Sequence, residues 1–173
     1  AGLGIGLILV NEGKYKLTNT GVVLLVDTLT RVNMDFTNDV CYEGLIGLEK
    51  SIKTGKPEGL PVFGNWNTIY EGLSILPEPA RKSWFNFDHY YSDSAFDEAL
   101  AKVLEEKPRR LLDIGGNTGK WAMACVTKDP DAHVTIFDLP VQAAVARKNV
   151  ISAGLEKRVD FHEANILKED SEF

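Results

Sequence analysis

The sequence predicts an α/β chain in two parts, a mainly helical N-terminal domain with the outline of a winged helix, followed by the first half of a doubly wound parallel sheet. Three observations carry this: a hairpin signal in "ILVNEGKYKLTNTG", a helical apolar period in "NDVCYEGLIGLEKSIKTGKP", and a change of period after Pro108 into alternating strands and helices. In 173 residues, 44% hydrophobic and 25% charged side chains are ordinary for a soluble globular protein and exclude disorder. The apolar run "AGLGIGLILV" is about half of what a bilayer crossing needs, and no basic stretch precedes it, so a cytoplasmic protein is expected.

In the hairpin, apolar Ile8 to Val10 leads through a polar turn at Asn11, Glu12 and Gly13 to Tyr15–Leu17. Thr18 or Asn19 then caps a helix carrying Val22, Val23, Leu25 and Val26. Cys41, Leu45, Leu48 and Ile52 fall on one helical face after the possible cap Asn38, with Gly55 and Pro57 as stop signals, which predicts one amphipathic helix. The next passage holds Pro57, Pro61, Pro77 and Pro79 and reads as turns with short helical pieces such as "TIYEGL", closed by the aromatic cluster "SWFNFDHYYSD". Ser92 or Ser94 is expected to cap a helix with Phe96, Leu100, Val103 and Leu104 on one face. The expected division is residues 1–91 for the N-terminal domain, 92–107 for a linker helix and 108–173 for the sheet domain.

Beyond Pro108, "RRLLDIG" is a buried-strand run, "GKWAMACVTKD" a helix, "HVTIFDL" a second strand, "PVQAAVARKNVISAG" a second helix and "RVDFHEANIL" a third strand. Pro140 opens the second helix and Gly154 follows its end. A doubly wound sheet usually has a second half, so the chain is expected to be a piece of a longer protein.

The loop after the first strand decides the ligand. A phosphate-cradling loop needs Gly, four residues, then Gly-Lys and Ser or Thr; here Ile114 stands at the first position and Trp121 follows Lys120. Gly115, Gly116 and Gly119 do not match the G-x-G-x-x-G turn that admits a pyrophosphate, which demotes a dinucleotide without excluding it. Asp113 just before the glycines repels a pyrophosphate and suits the ammonium of S-adenosylmethionine. At the end of the second strand, Asp138 is placed to accept both hydroxyls of a ribose, which fits any nucleoside cofactor, and Leu139 could cover one face of its adenine.

"LLDIGGNTGKWA" with "FDLP" resembles motifs one and two of the class I S-adenosylmethionine-dependent methyltransferases. More narrowly, the chain resembles the O-methyltransferases that carry an N-terminal winged-helix dimerisation domain, such as the caffeate and hydroxyindole enzymes. The "GKYKLTNTG" wing, the "GLPVFGNWNTIYEGL" passage and the "SAFDEAL" helix follow in the family's order. The resemblance implies a Rossmann-like cofactor domain and methyl transfer from S-adenosyl-L-methionine to a hydroxyl of a small acceptor such as an aromatic one. It makes Asp113, Gly115, Gly116 and Asn117 neighbours of the methionine moiety, Asp138 the ribose ligand, Leu139 an adenine contact, and Asn165 and Ile166 the adenine edge. Two positions depart from the pattern. Asn165 stands where many relatives have Asp, which weakens a contact to the adenine amino group, and Asn117 stands where many have Gly, a left-handed position that Asn tolerates.

In the family the base that takes the acceptor's proton is a histidine in the second half of the sheet, expected beyond Phe173. His133 and His162 read as structural or surface residues, whereas His89, Tyr91 and Phe96 are candidates to line the substrate cleft. Lys120 and Trp121 open the helix after the loop, and Asp93 suits the start of the helix that follows it. Cys41 and Cys125 are too few and too far apart for a metal knuckle, and no metal is expected. Residues 1–107 carry ten basic against fifteen acidic side chains and residues 108–173 nine against ten, so neither part suits nucleic acid. The apolar faces of the early helices, with the resemblance, imply a homodimer. Two other readings remain open: a winged-helix regulator with a nucleoside-sensing domain, and a nicotinamide-dependent reductase.

Overall fold

The computed structural model describes residues 1–168. Two compact units are present: Ala1–Asn67 with Pro77–Tyr91, and Thr68–Leu76 with Ser92–Phe173.

The first unit begins with turns over residues 1–7 and a hairpin of β1 (Ile8–Asn11) and β2 (Lys14–Leu17), antiparallel, with Asn11 opposite Lys14. The two-residue turn takes positive φ at both Glu12 (50°) and Gly13 (73°), the turn whose twist matches that of a hairpin. Thr18 settles the cap of α1 (Asn19–Val26): its Oγ1 accepts from the Gly21 amide at 3.1 Å and donates to the Gly6 carbonyl at 2.7 Å. Asp27 then caps α2 (Thr28–Phe36), accepting from the amide and hydroxyl of Thr30 at 2.7 and 2.6 Å. The sequence reading had not anticipated this helix.

The amphipathic helix expected after Asn38 is broken. Thr37–Cys41 is a π turn continuing from α2, Gly44–Gly47 a 3₁₀ turn, and only α3 (Leu48–Thr54) is regular. The cause is a close backbone crossing, because a Cβ on Gly59 would stand 2.2 Å from the Gly44 carbonyl oxygen and one on Gly47 2.8 Å from Glu58. Asn38 lies inside the π turn and donates to Asp39 Oδ1 at 2.8 Å, so it is not a cap. The passage expected to be turns up to Tyr91 instead ends in a 16-residue helix, α4 (Glu78–Asp93). Its aromatic side chains pack on α2: Phe36 stacks on Phe87 at 4.2 Å and tilts against Trp84 at 5.6 Å. Buried Ser83 donates to Asp39 Oδ2 at 2.6 Å, tying α4 to the π turn.

In the second unit, α5 (Phe96–Val103) starts from Ala95 with no side-chain cap, so neither Ser92 nor Ser94 plays that part. Asp93 ends α4 rather than opening α5. The strands β3 (Arg110–Ile114), β4 (His133–Asp138) and β5 (Val159–Glu163) form a parallel sheet in that order, with α6 (Lys120–Lys128) and α7 (Pro140–Ser152) as the crossovers. Central β4 is the most buried strand, and Val134 and Ile136 meet Ala122, Cys125, Val126, Ala146 and Val150 in the core. β5 stops at Glu163, earlier than expected, leaving Asn165 and Ile166 in the turn beyond it. The passage Thr68–Leu76, in two 3₁₀ turns, belongs to this unit: Gln142 Nε2 donates to the Tyr70 carbonyl at 3.1 Å, and Leu73 and Leu76 are buried.

Candidate cofactor site

Parallel pairing puts the ends of β3 and β4 side by side, so Asp113 and Asp138 share the carboxyl edge of the sheet. The register continues one step into the loop, where the Gly115 amide donates to the Phe137 carbonyl at 2.8 Å. From there the chain turns back through left-handed backbone at Gly115 (φ 74°), Asn117 (φ 51°) and Gly119 (φ 78°), the last being the residue from which α6 starts. Gly116 has no room for a side chain: a Cβ would lie 2.8 Å from Ile136 Cγ2 and 2.9 Å from Asp113 Oδ2. Glycine here keeps the loop pressed onto the sheet and on the Asp113 carboxylate.

Asp138 is held by the loop itself. Its Oδ2 accepts from the Asn117 amide at 2.8 Å and its Oδ1 from the Leu139 amide at 2.7 Å. Each carboxylate oxygen keeps a second lone pair, so the group can still accept two hydroxyls. Asp113 is in a different state: its Oδ2 is buried and has no hydrogen-bond partner among the described residues. Burial first, and the Asp138 charge second, push the Asp113 carboxyl up to about 6. Burial first, and the Asp113 charge second, likewise push the Cys125 thiol up to about 11, keeping it inert. A buried carboxylate oxygen without a partner is costly by itself.

Two contacts that steady this loop went unread in the sequence. Asn149 Nδ2, on α7, donates to the Thr118 carbonyl at 2.9 Å, and Lys120 Nζ meets Asp93 Oδ2 at 2.7 Å. Both join residues more than 25 positions apart with no local signature. The remaining expected site residues lie as follows. Leu139 caps α7, Asn165 turns its Oδ1 onto the Leu167 amide at 3.0 Å, and Ile166 is half exposed. Phe96 packs edge-on against Trp121 at 5.2 Å beside the core. His89 and Tyr91 belong to the first unit, where His89 stacks on Phe85 and Tyr91 exchanges hydrogen bonds with Asn33 at 3.0 and 3.2 Å. His133 opens β4 at the opposite end of the strand, and His162 stacks on Phe137 at 4.8 Å. A groove of about 490 Å³ at the amino ends of the strands is lined by Leu104, Lys107, Arg109, Lys128 and Asp131. Ligands of open parallel sheets bind beyond the carboxyl ends, which favours the glycine loop over this groove.

Sheet, crossovers and acid-flanked glycine loop define a half-domain of the class that binds nucleoside cofactors. Residues 87–171 match the family model of the O-methyltransferase domain. Among curated proteins it is 28% identical over 159 residues to the L-tyrosine C(3)-methyltransferase of Streptomyces lavendulae, covering 89% of this chain and 43% of that protein. It is 24% identical over 159 residues to the 3-hydroxy-5-methyl-1-naphthoate 3-O-methyltransferase of Streptomyces sahachiroi, covering 90% and 44%. Among solved structures it is similar to the O-methyltransferase NcsB1 from neocarzinostatin biosynthesis, in complex with S-adenosylmethionine and 2-hydroxy-5-methyl naphthoic acid. The TM-score is 0.67 and the identity 25%, over 94% of this chain and 51% of that one. The chain thus spans about half the length of the relatives it matches.

Proposed function

We propose that this chain carries the cofactor-binding part of an S-adenosyl-L-methionine-dependent methyltransferase that modifies a hydroxyl of a small acceptor. The observation that carries the reading is the pair of acids on the loop: Asp113, half-buried, with a buried Oδ2 2.9 Å from where a Gly116 side chain would stand, and Asp138, held by two amides. The sign of the first acid favours a cationic amine over a pyrophosphate. The complex of NcsB1 with S-adenosylmethionine and a naphthoic acid lends the same support from a relative.

In this reading Asp113 takes the ammonium of the methionine moiety, with Gly115, Gly116 and Asn117 forming the close-fitting floor beneath it. Asp138 accepts the ribose hydroxyls, and Leu139, Asn165 and Ile166 border the adenine. When bound, the cofactor supplies a methyl group on an electrophilic sulfonium. The protein's part is to orient it and exclude water. Phe96, Tyr91 and His89 are assigned to the acceptor side, and neither His133 nor His162 is assigned as a base. The first unit serves as a winged-helix dimerisation domain, and the protein works in the cytoplasm as a homodimer. Among the described residues no helix is long and apolar enough to cross a membrane.

The natural full-length protein, incubated with S-adenosylmethionine labelled in its methyl group and a panel of hydroxylated aromatic acids, is expected to yield a labelled ether. Label recovered only on carbon or nitrogen would keep methyl transfer and overturn the hydroxyl acceptor. No transfer, with no binding of S-adenosylhomocysteine, would overturn the whole reading.

A further inference from the structure

The ribose acid is not positioned by its own strand alone. Asp138 is the last residue of β4, where the ladder ends, and its carboxylate is gripped from two sides: by the Leu139 amide at 2.7 Å, one residue on, and by the Asn117 amide at 2.8 Å, from a loop 21 residues earlier. The second grip depends on an unusual backbone. Asn117 is one of only three described non-glycine residues with positive φ, at 51°. Asn pays little for that conformation, whereas a β-branched residue there is strained. The loop is anchored on both sides of residue 117, because Gly115 is tied to the Phe137 carbonyl, Gly116 is wedged on Ile136 and Asp113, and the Thr118 carbonyl is tied to Asn149, so a change of dihedrals at 117 turns its own N–H rather than moving the whole loop. The left-handed turn at residue 117 is therefore what aims its N–H at Asp138.

From this geometry we infer that Asn117 is a positioning residue for ribose recognition: its left-handed backbone holds the Asp138 carboxylate in place before any ligand arrives. The inference rests on the cofactor reading proposed above. An amide-to-carboxylate bond is charge-assisted, and a fixed carboxylate loses less freedom when it accepts two hydroxyls. The role belongs to the backbone at Asn117, so glycine should substitute for it and a β-branched residue should not.

The test is carried out on the natural full-length protein with Asn117→Gly, Asn117→Val, Asp138→Ala and the Asn117→Val/Asp138→Ala double variant. In the ligand-free protein, amide hydrogen exchange at residue 117 should speed up about tenfold or more in Asp138→Ala, the free-energy scale of one lost charge-assisted bond. Unchanged exchange would overturn the grip itself, whatever the ligand. Calorimetric titration with S-adenosylhomocysteine should then show affinity within about threefold of wild type for Asn117→Gly and about tenfold or more weaker for Asn117→Val, given the strain of a β-branched residue at positive φ. In the Asp138→Ala background the valine substitution should cost little more, since the two residues act as one unit. A full additional loss there would mean that Asn117 acts by another route, and would overturn the inference. Asn117→Gly as weak as Asn117→Val would contradict the inference. If the wild type binds no S-adenosylhomocysteine while the exchange result holds, the cofactor reading falls and the grip on Asp138 stands.

Discussion

At Asp113, burial and the neighbouring Asp138 both oppose ionisation, and the sign of the consequence can be worked out. Its folded pKa of about 6 lies above the usual carboxylate value of 3.8, so the ligand-free native state binds more protons than the unfolded chain between those values. Stability from this group is therefore greatest below about pH 4, falls as pH rises toward 6, and stays lower above it. A cationic amine pairs only with the ionised form. Affinity for S-adenosylhomocysteine should thus fall as pH drops below 6, by about tenfold between pH 7 and pH 5. Titrations at the two pH values check this, and Asp113→Asn should bind weakly with that pH dependence gone. Persistence of the same dependence in Asp113→Asn would place the titrating group elsewhere. Gly116→Ala makes a second residue-scale prediction. Its methyl would meet Ile136 and Asp113 under 3.0 Å, so cofactor affinity should be lost together with about 1–3 kcal/mol of stability, read by denaturant unfolding.

Among the elements, the strands and crossovers of the second unit were legible because each carries a strong local signal: apolar runs for β3 and β4, Pro140 and Gly154 at the two ends of α7, and glycines where α6 begins; only the burial expected of β3 fails, since Leu112 and Ile114 are exposed. The acid-glycine loop and Asp138 could be read for the same reason, since each sits at the junction of two legible elements. The first unit was less legible, and the reasons are physical. Pro77 and Pro79 read as turn signals, but Pro77 stands just before α4 and Pro79 in its first turn, where proline is tolerated. The period through Cys41, Leu45, Leu48 and Ile52 was sound, yet regular helix gives way where Gly44, Gly47 and Gly59 let two backbones cross, a contact between distant residues that no window reveals. Gly59→Ala should test that crossing. With a Cβ 2.2 Å from a carbonyl oxygen, it should lower stability by about 3 kcal/mol or more, well above the ordinary cost of a surface substitution. A thermal midpoint equal to wild type would show that the crossing is not tight.

For the whole molecule, the first unit exposes an unusual amount of apolar side chain: Ile46 is 91% exposed, Ile52 76%, Val26 71% and Leu25 58%. Where such side chains are contiguous they mark contact sites. The proposed homodimer should appear in light scattering as twice the chain mass, and charged substitutions at Ile46 and Ile52 together should shift it to monomer. A wild-type monomer at micromolar concentration would remove the dimer from the proposal. Neither the acceptor nor a general base could be read from residues 1–173, because the chain spans about half the length of its relatives and acceptor recognition varies among them by name, from tyrosine carbon to naphthoate hydroxyl. The most direct test of the central claim, that the acid-flanked loop binds S-adenosylmethionine, is calorimetric titration of S-adenosylhomocysteine, with NADH in parallel, into the natural full-length protein and its Asp138→Ala variant. Binding of S-adenosylhomocysteine alone, weakened about a hundredfold in the variant by the loss of two charge-assisted hydroxyl bonds, is the expected result. Binding of NADH, or of neither compound, would contradict the assignment of the loop.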